Sequence, residues 1–450
     1  MVNPDRKPNP HADEVFYYYQ NIWTTLKDAD KGEVEVYNEN FFRDLSNVQL
    51  SWVLLSDGEE VAKGHAPALS VGAQGRTSLT LQNFRRKGQG EQVLHLFYTL
   101  KQAEPLLPAG TCVARQEFVL SPYRYPVPEQ LFTQLPPAPK VVLPKEVKEA
   151  KAQAGPAVKK EEQLACLTLS AAGTSVTFNK ETGWVDYLDI DGAPLFEEGY
   201  SLRPDFWRAP TDNDYGAGIQ NHLKAWKNPQ MNLKHFEEKS IGASRRVEAV
   251  YEMPQLQAKL TLTYTLTPTG KFVVTQDLKV DSEAKSKPAL PRFGMRFVMP
   301  QAYGRIAYYG RGPVENYVDR HASAFLGRYE STVAEQYWPY IRPQESGNHT
   351  DVRWWGLYNA DGAGLKVSAG APLEVAALPY LTEDLDGGSR KEARQMHSGD
   401  LTPRPFTEVH VAQRQMGLGC IDSWGSWPME KYLIPYADYS FTFILEPDSF

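Results

Sequence analysis

Arginine, aspartate and asparagine crowd into one short run, Phe206-Trp-Arg-Ala-Pro-Thr-Asp-Asn-Asp-Tyr-Gly-Ala-Gly218, led in by two aromatics and closed by two glycines. These types permit three kinds of chemistry. Arg208 can answer a nearby carboxylate with a bidentate pair, making Arg208, Asp212, Asn213 and Asp214 a buried polar network that holds loops in register. The same carboxylates could instead act directly on a substrate. Asp212, Asp214 and Gly216 also echo the opening of a calcium loop, but no glutamate closes it. The network is the preferred reading. A turn after a strand suits the run, with Pro210 fixing φ, and Gly216 and Gly218 free to take positive φ.

Further candidates follow downstream. In Tyr308–Arg320, Gly310, Gly312 and Pro313 make a tight loop, and Arg311, Glu315, Asn316, Asp319 and Arg320 supply hydrogen bonds. Such a loop is either a lid or a turn braced by an Arg–carboxylate pair. Its glycine spacing is not that of a phosphate cradle. Within Tyr337–Trp355, Glu345, His349 and Asp351 are the acid–base candidates, since a histidine beside a carboxylate can move a proton on a ring oxygen. The alternative is a structural, hydrogen-bonded histidine. Met416–Trp427 sets Asp422 beside Trp424 among small residues. An exposed indole face suits the C–H side of a sugar and a carboxylate suits a hydroxyl; otherwise the two tryptophans plug the end of a sandwich. Asp384, Asp386 and His397 read as loop residues.

The elements that must position these residues are strands. Residues 1–13 are rich in proline and charge and read as an extended lead-in. Over 14–121, short alternating runs such as Val48–Leu55, Val93–Leu100 and Cys112–Leu120 predict an immunoglobulin-like sandwich of six or seven strands. Residues 122–163 turn proline-rich, then Ala/Lys/Glu-rich, and read as a semi-rigid linker whose lysines serve solvation. Over 164–450 the strands return. Lys259–Thr267 and Phe272–Val280 flank Pro268-Thr-Gly270 as a hairpin, Tyr439–Leu445 alternates like a strand with one buried face, and Asn221–Trp226 is a short helix. Without an internal repeat, this stretch predicts one large antiparallel sandwich.

Composition narrows the function. A net charge of −7 without a clustered basic footprint argues against nucleic acid. The 3 cysteines, Cys112, Cys166 and Cys420, give neither a disulfide framework nor zinc spacing, so no metal is expected in this chain. No apolar run reaches membrane-spanning length and the first residues carry no signal-peptide core. The compartment stays open between cytoplasm and periplasm. Aromatics at 12%, with 10 Trp and 24 Tyr, suit both sugar handling and large β cores.

Four motifs in order carry a resemblance. They are Arg208-Ala-Pro-Thr-Asp-Asn-Asp214; Gly310–Tyr317 with Asp319-Arg320; Tyr340–Asn348 with Thr350–Trp354; and Gly417-Leu-Gly419 with Asp422-Ser-Trp424. Together they resemble the C-terminal part of family 2 glycoside hydrolases of the large bacterial β-galactosidase type. The resemblance implies an all-β chain: an immunoglobulin-like sandwich followed by a galactose-mutarotase-like supersandwich. It implies that Trp424 stacks on sugar at the rim of the active site, with Asp422, Arg311, Glu315 and Asn316 as substrate-binding candidates, and that the Gly310–Arg320 loop moves near that site. The family's two catalytic carboxylates work by retention and lie in an N-terminal barrel with no counterpart here. No catalytic residue is therefore expected in this chain, and any Mg or Na ion would belong to that barrel. The implied partners are a galactoside shared with the barrel and, in the complete enzyme, further copies of the chain. Two other readings stay open: an autonomous carbohydrate-binding module, and an aldose 1-epimerase using Glu345 and His349.

Overall fold

The computed structural model describes residues 2–126, 157–394, 396–419, 421–422 and 425–450. The chain is all-β, as expected, and divides into two compact units. The first holds Met1–Arg124 with Tyr309–Asn316 and Arg320–Tyr329; the second holds the rest.

In the first unit, alternation of buried and half-buried residues drives strand formation, as in Glu33–Asn38 and Val48–Ser56. A three-stranded antiparallel sheet orders Ile22–Asp28, Glu33–Asn38 and Arg76–Thr80, and a four-stranded sheet orders Glu59–His65, Val48–Ser56, Gln92–Leu100 and Cys112–Ser121. Their apolar faces share one core around Val34, Val36, Leu50, Trp52, Leu96 and Tyr98. The lead-in is not wholly extended: His11–Tyr18 is a helix with Asp13 and Glu14 in its first turn, where negative charge suits the helix dipole. Glu14 accepts from the Ala322 and Ser323 amides at 3.1 and 2.9 Å. The boundary near residue 164 is therefore not a clean cut. Residues 309–316 and 320–329 join this unit because Tyr309 donates to Glu91, Arg311 pairs with Glu117, and the Phe325 ring lies 5.0 Å from that of His95.

In the second unit, Lys159–Glu162 already pairs with Cys166–Ala171, so strand structure begins inside the stretch read as linker. Most of that linker, 127–156, lies outside the described residues. The expected hairpin forms from Ala258–Leu266 and Phe272–Val280, with Gly270 at φ +81°. One large antiparallel sheet holds, side by side, Arg203–Asp205, Arg292–Pro300, Phe406–Gln415, Ala363–Leu378 and Tyr439–Ser449, and continues through Phe272–Val280 to Asn232–Ile241. The strand Arg292–Pro300 is buried on both faces. Phe293 and Phe297 point one way, toward Phe206 and Phe196 respectively, while Arg292 and Arg296 alternate onto the other face. Gly294 lies between them because a Cβ there would stand 2.6 Å from Ala412 Cα on the neighbouring strand.

Candidate functional site

Arg208 and Asp214 form the pair their types invited. Nε and Nη2 of Arg208 reach the two carboxylate oxygens of Asp214 at 3.0 and 2.7 Å, and both residues are buried. The local structure is a helix rather than an open turn: Asp212–Ala217 is helical, and only Gly218 takes positive φ, at +71°. Thr211 is the N-cap, and Asp214 answers it as a capping box, which is why the chain turns helical here. Asp214 thus serves a cap and an ion pair together. Asp212 is not part of that buried pair; it is exposed and meets Lys391 at 2.6 Å. Asn213, half-buried, follows it on the helix's first turn.

This pair anchors the glycine-rich stretch more than two hundred residues downstream. Arg208 donates to the carbonyls of Met416 and Gly417. From the other side, the Asp319 carboxylate accepts from the amides of Leu418 and Gly419, both at 2.9 Å. Gly425 packs so closely on the helix that a Cβ would stand 2.2 Å from Gly216 O, which explains the glycine at 425. The segment between these anchors carries Asp422, exposed and accepting from Ser426, and Trp424, which lies outside the described residues.

The Gly310–Arg320 candidates are engaged within their own unit. Arg311 meets Glu117 at 3.0 Å and the Ala324 carbonyl at 2.9 Å. Glu315 is paired with Arg320 at 2.6 Å, and Asn316 donates to the carbonyls of Arg311 and Val314. Glu315 and Asn316 are 7% and 1% exposed, so their polar groups serve a braced turn. Burial opposes the Glu117 charge, but the His95 hydrogen bond and the Arg311 cation outweigh it and hold its carboxyl below the usual value.

Glu345 and His349 are both buried and do different work. Glu345 accepts from Arg292 at 2.9 Å and Gln415 at 3.1 Å; His349 Nε2 meets Gln336 at 2.8 Å, and its ring lies 4.7 Å from Tyr308. Asp351 has φ +51° at an irregularity in the strand His349–Tyr358.

Sequence reasoning missed a buried charged cluster on the large sheet. Arg292 binds Asp205 and Glu345; Arg296 binds Glu383 and Glu408; His410 joins Asp205 at 2.7 Å to Glu408 at 3.1 Å. Burial and Arg292 oppose the imidazolium, yet Glu408 and Asp205 win and raise His410 to about 9. Burial likewise opposes ionisation of Asp205 and Glu408, but Arg292 and His410 hold the first far down, and His410 and Arg296 bring the second to about 2. Glu374 behaves oppositely. Burial dominates, and hydrogen bonds from Gln415 N and Asn348 at 3.1 Å each leave it raised to about 7. The available signal was charge at two-residue spacing inside otherwise apolar strands, as at Glu408 and His410. Among the described residues, no group of three or more His, Cys, Asp or Glu could hold a metal ion.

An all-β chain of two units with this anchored glycine-tryptophan segment invites comparison with known proteins. The profile of the family described as "Beta galactosidase small chain" matches residues 170–445, and that of "Beta-galactosidase, domain 4" matches residues 34–121. The chain belongs to the β-galactosidase small-chain family. It is 31% identical to a β-galactosidase of Priestia megaterium over 99% of this chain and 40% of that protein. It is 30% identical to one of Halalkalibacterium halodurans over 99% of this chain and 41% of that protein. The chain thus spans about 40% of the length of these relatives. Among solved structures, a galactose 1-epimerase from Lactobacillus acidophilus aligns with a TM-score of 0.37 at 12% identity, over 65% of this chain and 98% of that one.

Proposed function

We propose that this chain acts as the C-terminal portion of a retaining β-galactosidase that removes terminal β-D-galactose residues, with both catalytic carboxylates supplied by a barrel outside it. The observation that carries this reading is that β-galactosidases match essentially the whole chain while it spans about 40% of their length. Retention needs one ionised and one protonated carboxyl about 5–5.5 Å apart and open to substrate. The buried carboxylates Asp205, Glu345 and Glu408 are instead locked to arginine or histidine, which supports a structural role for them. Arg208, Asp214 and Asp319 are positioning residues. They hold Met416–Gly419 from both sides, so that Trp424 can stack on the galactose ring with Asp422 beside it.

The test is hydrolysis of a chromogenic β-galactoside by the purified chain, beside the complete enzyme carrying Trp424→Ala. The chain alone is expected to give no turnover, and the variant enzyme a KM raised about tenfold or more with the protein folded. Turnover by the chain alone would overturn the assignment of the carboxylates. An unchanged KM would remove Trp424 from the pocket rim.

A further inference from the structure

The cluster that sequence reasoning missed opens on one side into a cleft of about 170 Å³ within the second unit. Trp184 and Trp207 contribute ring surface to its lining. Ion pairs line it as well. Lys227 holds Asp386 at 2.7 Å, and Asp386 also accepts from the Trp207 indole N–H at 2.8 Å. Glu383 takes Arg296 at 2.6 Å and lies 3.8 Å from Arg203. Asp386 is a loop residue, as read from sequence, and it is buried in this lining.

We propose that this cleft is a binding site for a neutral hexopyranose. Its charges select that class. Arg203, Lys227 and Arg296 face Asp205, Glu383 and Asp386, three cations against three anions, so an ionic ligand would meet as much repulsion as attraction. A neutral polyol meets donors and acceptors in equal supply, and each ionised partner makes a hydrogen bond stronger than a neutral one would. The indoles in the lining suit the C–H face of a sugar ring. Size points the same way: the cleft is smaller than the roughly 300–1,000 Å³ that drug-sized ligands occupy, which leaves room for one ring. Access is provided by side chains at the mouth, where Arg203, Lys227 and Glu383 are 37%, 34% and 51% exposed. The ion pairs keep these groups ordered before a ligand arrives, which lowers the entropy lost on binding.

The experiment titrates the full chain with D-galactose by calorimetry and tryptophan fluorescence, for the wild type and for Arg203→Leu, Glu383→Gln and Trp424→Ala. Arg203 is half-buried and Glu383 exposed, and both variants are expected to fold. Saturable binding is expected, weakened about tenfold or more by each of those two. No saturation up to about 100 mM galactose would overturn the inference. Loss of binding on Trp424→Ala but not on Arg203→Leu would overturn it too, placing the sugar at the Trp424 segment. Tighter binding of D-galacturonate than of D-galactose would refute selection by balanced charge. Because the readout is binding to the cleft, it stands apart from the hydrolysis test of the proposed function.

Discussion

Glu374 should make the second unit less stable as pH rises through neutrality. Its carboxyl is fully buried and is raised from 4.5 to about 7, chiefly by burial. The folded state therefore holds this proton more tightly than the unfolded chain. The stabilisation is complete below about pH 4.5 and is lost as pH rises through about 7. At about 1.4 kcal/mol for each tenfold change in proton affinity, the loss amounts to roughly 3 kcal/mol. Glu374→Gln removes the titration while keeping the shape. The amide can present an oxygen to only one of Gln415 N and Asn348, so the variant gives up about 1 kcal/mol for the other hydrogen bond. At about pH 5 the variant should be slightly the less stable; at about pH 8.5 it should be the more stable by about 2 kcal/mol. The assay is urea unfolding of both proteins at the two pH values, with the slope confirming that the same surface is exposed. Stability differences that do not change between the two pH values would refute the reasoning, as would a variant weaker at both. His410 acts in the same direction as Glu374: raised to about 9, its contribution is present below about pH 6.5 and lost as pH rises through about 9. Glu408, lowered to about 2, loses its contribution only as pH falls through that value.

Two further outcomes are expected of the same architecture. Arg208→Ala strands the buried Asp214 carboxylate and should cost about 3–5 kcal/mol in chemical unfolding, with the double variant Arg208→Ala/Asp214→Ala costing clearly less than the sum of the singles; additive losses would mean that the pair does not act as one. Gly294→Ala should cost about 1–3 kcal/mol of stability, read as a lowered thermal midpoint, because the added methyl meets the Ala412 backbone and cannot be relieved by a rotamer change. An unchanged midpoint would show that the two strands can separate there.

Much was legible in the chain because local chemistry decides it. Alternation in Val48–Ser56 and turn residues at Pro268-Thr-Gly270 force strands and a hairpin wherever the sequence sits. Arg208 and Asp214, six residues apart, meet across the N-terminal cap of the helix Asp212–Ala217, close enough along the chain for residue type to suggest the pairing. Four short motifs in order were enough to point to the family. What tertiary structure alone decided is which distant charges share a face. Asp205, Arg292, Glu345 and the same-strand pair Glu408 and His410 come from separate segments of the chain, and no local rule brings those segments together. Register across the sheet does so, setting Arg296 opposite His410 and Asp205 opposite Gly294. Asp386 is a loop residue, as read, but it is buried because Lys227 and the Trp207 indole, both distant in sequence, close on it. Local sequence sets the elements because backbone preference is short-ranged; the site depends on strand order, because charges become neighbours only after the sheet has assembled.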